Sequence, residues 1–447
     1  MEYISLFRKA AGKWPERVAL VDRSGERGTS YAELDSLSGL VAGKLRALGF
    51  AKGDFVLVDM GRRMEYVAAY LGVLKAGCVV VPVVPDYPEE RIGFIRSDCG
   101  SRFTITFDFF SDIEKYEPYE GPADGAEPAL LAYTSGSTGT PKGILFSAAD
   151  LARGALRHAS VFDGVNPVIY AGVALFSFLL HIIEYLTVLS VGGTTHILED
   201  DVRKSAVSLS SYYRKHGITV GIITPQMLRL FKNTGRDLQR VITCGERLSR
   251  VAPDGYDLLN GYGMSELAAF VTTFKVDRAY ENTPVGRSME GVEAMILDDD
   301  GNAVPDGTEG EICVRGEFDT VYFKDPEKTS RVMLRLCLIA GAIGGLMIMA
   351  TIPIIVPLAN LTDQAREYLR TMLWINVFYI MGTAVNSPLI AGVFRAGGDT
   401  RFGFWCDTID MWGWALPVGF LRKNETIEQT AQREFAEETG VKSVKFI

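Results

Sequence analysis

The sequence predicts an α/β protein over residues 1–333, and two observations carry that prediction. Short β-branched runs, DFVLVDM (54–60) and CVVVPVV (78–84), alternate with segments of three-to-four apolar spacing such as YAELDSLSGLVAGKLRALGF (31–50). The first pattern marks buried parallel strands and the second an amphipathic helix. Charge then divides the chain into three regimes. Residues 334–421 hold five Lys/Arg and five Asp/Glu in 88 positions, and residues 422–447 hold five of each, so the whole net charge of −9 lies on residues 1–333.

Composition excludes several classes. An acidic chain of 447 residues has no basic excess to attract nucleic acid. Six cysteines (78, 99, 244, 313, 337 and 406) form no CxxC pair, and with only four histidines no zinc site is expected. A reduced, cytoplasmic setting follows for residues 1–333. The opening MEYISLFRKAAGKWPERVAL has no uninterrupted apolar core, so no signal peptide is expected.

The chemistry begins at LLAYTSGSTGTPKG (130–143). Three glycines and a run of hydroxyl residues follow an apolar strand, a loop that can turn backbone N–H groups and hydroxyls toward phosphate oxygens while Lys142 adds positive charge. It lacks the GxxxxGK[ST] spacing of a Walker loop. Together with TSYAELD (29–35), LKAGCVVVPVVPDYPEER (74–91), NGYGMSE (260–266) and GEICVRG (310–316), it resembles the adenylate-forming superfamily, particularly the adenylation domains of nonribosomal peptide synthetases.

That resemblance implies ATP and Mg²⁺ as cofactors and a carboxylic acid as substrate, joined to give an acyl-adenylate and pyrophosphate. It assigns nucleotide binding to Thr134, Ser135, Gly136, Ser137, Thr138, Gly139, Lys142, Gly245, Glu246, Asn260, Gly261, Tyr262, Gly263, Ser265 and Glu266. Asn260 would hydrogen-bond the adenine, Tyr262 stack on it, Ser265 face the α-phosphate and Glu266 hold Mg²⁺. Read alone, Gly261–Tyr262–Gly263 is a turn before a helix begun by Ser265 and Glu266. Two departures stand out. Leu179, in FSFL (176–179), replaces an aspartate that pairs with an α-amino group in the family. After YFKDPEKTSRVM (322–333) the expected Tyr-x-Thr-Gly-Asp motif and the small domain with its lysine do not follow. The first unit therefore reads as an adenylate-forming large domain incomplete on its C-terminal side.

Residues 336–362 and 371–394 contain no charge, and 402–421 is an aromatic-rich run interrupted by Asp407 and Asp410. Runs of this length predict two to three long apolar helices, able to associate with a membrane through 336–421. The stretch 386–420, especially GVFRAGGDTRF, resembles the multidrug and toxin extrusion transporters, and residues 334–418 amount to a fragment of one. The tail, about 415–447, contains Gly419, Glu425, Arg433, Glu434, Glu437, Glu438 and Gly440. Glu434, Glu437 and Glu438 share one helical face, where crowded carboxylates call for a hard cation. This resembles the Nudix box of pyrophosphohydrolases, a loop and short helix over 419–447, with those three glutamates as metal ligands. The sequence as a whole reads as a mosaic of three partial domains with no coherent native function, in which adenylation is absent or severely impaired. A membrane-anchored ligase, a transporter fragment and a Nudix hydrolase are the alternatives.

Overall fold

The computed structural model describes residues 2–119, 128–134, 141–176, 178–298, 302–305 and 307–324, with isolated helical positions between 349 and 374. The chain divides into two compact units, Met1–Phe323 and Lys324–Ile447.

The first unit carries its strands in chain order as β1 (Val18–Val21), β2 (Gly28–Ser30), β3 (Phe55–Val58), β4 (Val79–Pro82), β5 (Thr104–Ile105) and β6 (Pro128–Thr134). Next come β7 (Lys142–Ser147), β8 (Ile169–Gly172), β9 (Thr194–His196), β10 (Val220–Ile222), β11 (Arg240–Thr243) and β12 (Asp257–Met264). The last are β13 (Ala269–Val276), β14 (Arg287–Ser288), β15 (Val292–Leu297), β16 (Glu311–Gly316) and β17 (Val321–Tyr322). They form a nine-stranded sheet in the order β14-β13-β12-β11-β10-β8-β9-β1-β2, a six-stranded sheet in the order β17-β7-β6-β4-β3-β5, and the β15-β16 pair. The strands expected over 54–60 and 78–84 are β3 and β4, and they pair in parallel from Phe55↔Val79 to Val58↔Pro82.

Both faces of these strands are buried, which explains their unbroken β-branched character. Val56, Val58 and Val80 face a central core shared with helices α1 (Tyr3–Lys13), α2 (Tyr31–Ala47), α3 (Met64–Lys75) and a later helix, Ala148–Ala159. Leu57, Val79 and Val81 face the other way and pack with Ile92 and Ile95 of α4 (Glu89–Cys99). Each such side chain, fully withdrawn from water, contributes on the order of 1.5–3 kcal/mol. The central core also takes Ala19 and Leu20 of β1, so these helices pack against strands of both large sheets.

The helix expected over 31–50 is α2, and its start is set by a reciprocal cap. Ser30 Oγ accepts from the Glu33 N–H at 3.2 Å, while Glu33 Oε2 accepts from the Ser30 N–H at 2.7 Å. The TSYAELD motif is thus partly helix-start chemistry. The helix Ala148–Ala159, here α5, is capped in the same way by Ser147 and Asp150.

Among the described residues, no helix is long and apolar enough to cross a membrane. The apolar helices expected over 336–421 and the loop and helix expected over 419–447 fall outside the described residues, apart from isolated helical positions such as Leu369 and Trp374.

Candidate active site

β6 and β7 form an antiparallel hairpin closed by Thr134↔Lys142. Of the hydroxyl-rich loop, Ser135, Gly136, Ser137, Thr138 and Gly139 lie outside the described residues. On the far side of β7, β17 returns from much later in the chain and pairs Val321↔Leu145 and Tyr322↔Ile144. The Phe323 N–H then donates to Gly143 O at 2.9 Å. This places Tyr322 beside the Lys142–Gly143 end of the hairpin.

Asp319 fixes that return. Its N–H donates to Asp150 Oδ1 at 3.0 Å, and its Oδ2 accepts from Arg153 at 2.5 Å and from Ser147 Oγ at 3.3 Å. The cap of α5 therefore doubles as the anchor for β17.

The second motif lies on β12 and continues past it. The structure corrects the expected turn and helix: Asn260, Gly261, Tyr262, Gly263 and Met264 remain in β12, paired antiparallel with β13 from Asn260↔Phe274 to Met264↔Ala269. Only a single 3₁₀ turn follows, over Ser265–Leu267. The physical reason is the long partner strand, which supplies ladder hydrogen bonds that a turn at Gly261 would forfeit. Glycine is required at 261 by close approach, because a Cβ there would lie 2.8 Å from the Phe270 ring. Asn260 is buried, and its Nδ2 donates to Pro284 O at 2.9 Å.

Gly245 and Glu246 follow β11, whose last residue Thr243 pairs with Asn260. They therefore sit at the same sheet end as the NGYG motif. Gly245 has φ 86°, the left-handed region where glycine is favoured.

The two halves meet at one hydrogen bond. Tyr322 Oη, at the edge of the six-stranded sheet, donates to Glu266 Oε1 at 2.7 Å, just past β12 of the nine-stranded sheet. Among the described residues, no hydrogen bond or ion pair occupies Glu266 Oε2. A carboxylate held by one oxygen, with the other open, fits one ligand position of a hard cation. Among the described residues no group of three His, Cys, Asp or Glu is brought together, and Glu434, Glu437 and Glu438 lie outside those residues.

Two residues of α5 support the turn at Glu266. Arg157 donates to Leu267 O at 3.0 Å and to Phe270 O at 3.4 Å. Fully buried His158 accepts from the Phe270 N–H at Nε2, 2.9 Å, which leaves Nδ1 to donate to Gly154 O at 2.5 Å. Burial first, and then the Arg157 charge, push the imidazole down to about 3, so it stays neutral. Between them, Ala268 takes a left-handed conformation, φ 56°.

Leu179 is only 7% exposed and belongs to the central core with Phe176, Ile182 and Tyr185. Its segment lies close to the Glu266 turn: a Cβ on Gly154 would stand 3.3 Å from Ile182 Cγ2 and 3.5 Å from Ala268 Cβ. The buried carboxylate here is Glu184. Its Oε1 accepts from the Ala174 N–H at 3.1 Å and its Oε2 lies 3.4 Å from Arg62. Arg62 also donates to Gly172 O at 2.9 Å and to Ala174 O. Burial raises the Glu184 pKa, and the Arg62 charge opposes that rise.

Residues 7–120 and 108–321 match the family of AMP-binding enzymes. The chain belongs to the AMP-binding enzyme family. It is 28% identical over 352 residues to bacitracin synthase 1 of Bacillus licheniformis, covering 72% of this chain and 6% of that one. It is 29% identical over 335 residues to surfactin synthase subunit 1 of Bacillus subtilis (strain 168), covering 70% and 9%. The chain therefore spans less than a tenth of the length of these relatives. The AMP-binding fold is shared with the N-terminal subdomain of Klebsiella oxytoca NpsA in complex with 3-hydroxybenzoyl-AMSN, at TM-score 0.66 and 23% identity, over 74% of this chain and 91% of that one. It is shared likewise with the N-terminal domain of FACL13 from Mycobacterium tuberculosis, at TM-score 0.65 and 20% identity, over 74% and 93%.

Residues 391–447 match the NUDIX domain. That match takes in the third apolar run, 402–421, and all but the first five residues of the stretch 386–420 that resembles a transporter.

Tyr322, Asp319, Arg157, His158 and the Arg62–Glu184 pair were not singled out by sequence reasoning. Tyr322 sits at the head of a motif quoted above, but nothing in the local pattern distinguishes it from a strand tyrosine.

Proposed function

We propose that residues 1–323 of this AMP-binding enzyme bind Mg²⁺·ATP and activate a carboxylic acid that lacks an α-amino group. The reaction is attack of a carboxylate oxygen on the α-phosphorus, with cleavage of the α–β anhydride bond, giving an acyl-adenylate and pyrophosphate. The observation that carries this reading is the Tyr322–Glu266 hydrogen bond, which unites the PKG and GYGMSE motifs at one place. When bound, Mg²⁺ would neutralise phosphate charge. Lys142 would add positive charge beside the phosphates, Tyr262 would stack on the adenine, and Glu266 would supply a metal ligand.

The acid preference rests on Leu179, since an apolar, buried residue leaves an α-ammonium without a partner at that position. The NpsA subdomain, of the same fold, holds 3-hydroxybenzoyl-AMSN, which makes aryl acids the first substrates to try.

We further propose that the chain is a mosaic with slow adenylation. Past residue 333 the sequence runs into apolar segments and a NUDIX match rather than the Tyr-x-Thr-Gly-Asp motif. The third apolar run then belongs to the Nudix part, and the uncharged runs 336–362 and 371–394 would carry any membrane association of this sequence. ATP–pyrophosphate exchange over a panel of aryl, aliphatic and α-amino acids tests the reading. Weak exchange with acids lacking the amino group is expected, abolished in Lys142→Ala and Glu266→Gln. Leu179→Asp should shift preference toward α-amino acids. Exchange confined to α-amino acids in the unmodified chain would refute the acid assignment. The NUDIX match favours a second activity, Mg²⁺-dependent cleavage of a nucleoside diphosphate derivative such as ADP-ribose, lost in Glu437→Gln.

A further inference from the structure

The Asp319–Phe323 strap has no chemistry of its own, yet it is held more firmly than an edge strand of two residues requires. Edge strands this short gain little from their ladder bonds, and stability has to come from elsewhere. Here Asp319 closes a four-residue network with Ser147, Asp150 and Arg153, and Arg157 stacks its guanidinium on Phe318, 5.2 Å from the ring centre. Phe323 packs edge-on against Phe55 at 5.3 Å. The tyrosine between these anchors is therefore fixed in position, and its hydroxyl reaches out of its own sheet to Glu266.

We propose that Tyr322 is a positioning residue that acts through Glu266: its hydroxyl fixes the carboxylate so that Oε2 is presented to the cation accompanying the nucleotide. The inference rests on the adenylating reading above. A glutamate in a three-residue turn has three side-chain torsions to restrict before it can serve as a ligand, and a charge-assisted hydrogen bond to one oxygen removes most of that freedom while leaving the other oxygen unshared. Arg157, which holds Leu267 O, fixes the backbone of the same turn. The tyrosine thus orders the side chain, while Arg157 orders the main chain beneath it. The arrangement also links the hairpin that carries Lys142 to the turn that carries Glu266.

The test is equilibrium binding of α,β-methylene-ATP to the full chain, titrated with and without Mg²⁺, for the unmodified protein, Tyr322→Phe, Glu266→Gln and the double variant. Phenylalanine keeps the ring packing, so the fold is retained and thermal unfolding serves as the control. Tyr322→Phe should weaken Mg²⁺-dependent affinity about 10- to 150-fold, the range for a hydrogen bond to a charged group. Its affinity in EDTA should be unchanged. In the Glu266→Gln background the phenylalanine should have little further effect, because the pair acts as a unit. Equal effects of Tyr322→Phe in both backgrounds, or an unchanged Mg²⁺ dependence, would overturn the assignment while leaving nucleotide binding intact. Absence of Mg²⁺-dependent affinity in the unmodified protein would remove the adenylating reading and the inference together.

Discussion

The two carboxylates that matter most in this fold are held in opposite ways. Glu184 is wholly buried, with its charge opposed by Arg62 and one oxygen occupied by the Ala174 N–H. Glu266 is half-buried, held by a neutral tyrosine, and keeps one oxygen open. The first joins the end of β3 to the end of β8 and is architecture. The second joins the two large sheets at a point where a ligand can still reach it. A carboxylate with all its hydrogen-bonding capacity satisfied inside the protein stabilises the fold, and one with capacity to spare is suited to binding.

The largest expected effect comes from breaking the architectural pair. Arg62→Met leaves Glu184 buried without a counter-charge, and removing one partner of such a pair costs about 3–5 kcal/mol. The sign of its pH dependence follows from the raised Glu184 pKa. A group whose folded pKa lies above its unfolded value contributes stability that is present at low pH and lost as pH rises through the folded pKa. In the variant that pKa rises further, so urea unfolding should show the deficit shrinking as pH is lowered toward the range where Glu184 is protonated. Glu266→Gln, by contrast, should leave urea stability nearly unchanged and remove Mg²⁺-dependent exchange. If both variants lost stability equally, the contrast between the two carboxylates would fail.

How far the sequence displayed this contrast depends on the range of each contact. The β-branched strands were readable from spacing and composition and Lys142 from its hydroxyl- and glycine-rich loop, whereas Asn260 and Glu266 were marked out only by the family resemblance; Asn260 lies within β12 and Glu266 just past its end. The turn expected at Gly261–Tyr262–Gly263 does not form, because the eight-residue partner strand β13, invisible to a local reading, keeps the segment extended. Tyr322 gained its role only from a strand pairing that crosses 178 residues to Ile144. Leu179 was readable as a substitution, but its place in the central core came from packing. In the second unit the Nudix glutamates were legible by identity, and the breadth of the domain match, beginning at residue 391, was hidden in a run whose apolar character suits a strand as well as a span.

The next effect tests the scaffold beneath the open carboxylate. His158 holds the start of β13 in neutral form, with its pKa depressed from 6.5 to about 3 by burial. A depressed folded pKa means that stability is present above the unfolded value and is lost as pH falls from about 6.5 toward 3. At about 1.4 kcal/mol per pKa unit, this one group should remove about 2 kcal/mol between pH 6.5 and 5. His158→Gln retains hydrogen-bonding capacity without a titrating group, so the difference in urea midpoint between variant and unmodified protein should narrow as the pH falls. A difference that stays constant over that range would show that the imidazole does not remain neutral in the fold, and the support assigned to the Glu266 turn would need another source.

The smallest effect concerns Ala268, two residues past Glu266, where opposing contributions nearly cancel. Its left-handed backbone, φ 56°, costs a non-glycine residue about 1–2 kcal/mol. Ala268→Gly relieves that strain. It also deletes a buried methyl group, worth about 0.8 kcal/mol, and adds about 0.5–1 kcal/mol of chain entropy to the unfolded state. The sum should fall within about 1 kcal/mol of zero on those figures. A β-branched side chain cannot make the same compromise, because it is a stronger steric outlier in that region, and the close approach of Gly154 on α5 leaves it little room. Ala268→Val should therefore destabilise clearly where Ala268→Gly does not. The glycine variant should separate stability from binding: with urea stability held, a looser turn presents Glu266 less often in the ligating orientation, and Mg²⁺-dependent nucleotide affinity should fall. If affinity and stability instead moved together, the turn would be part of the architecture that secures Glu184 rather than a site kept open beside it.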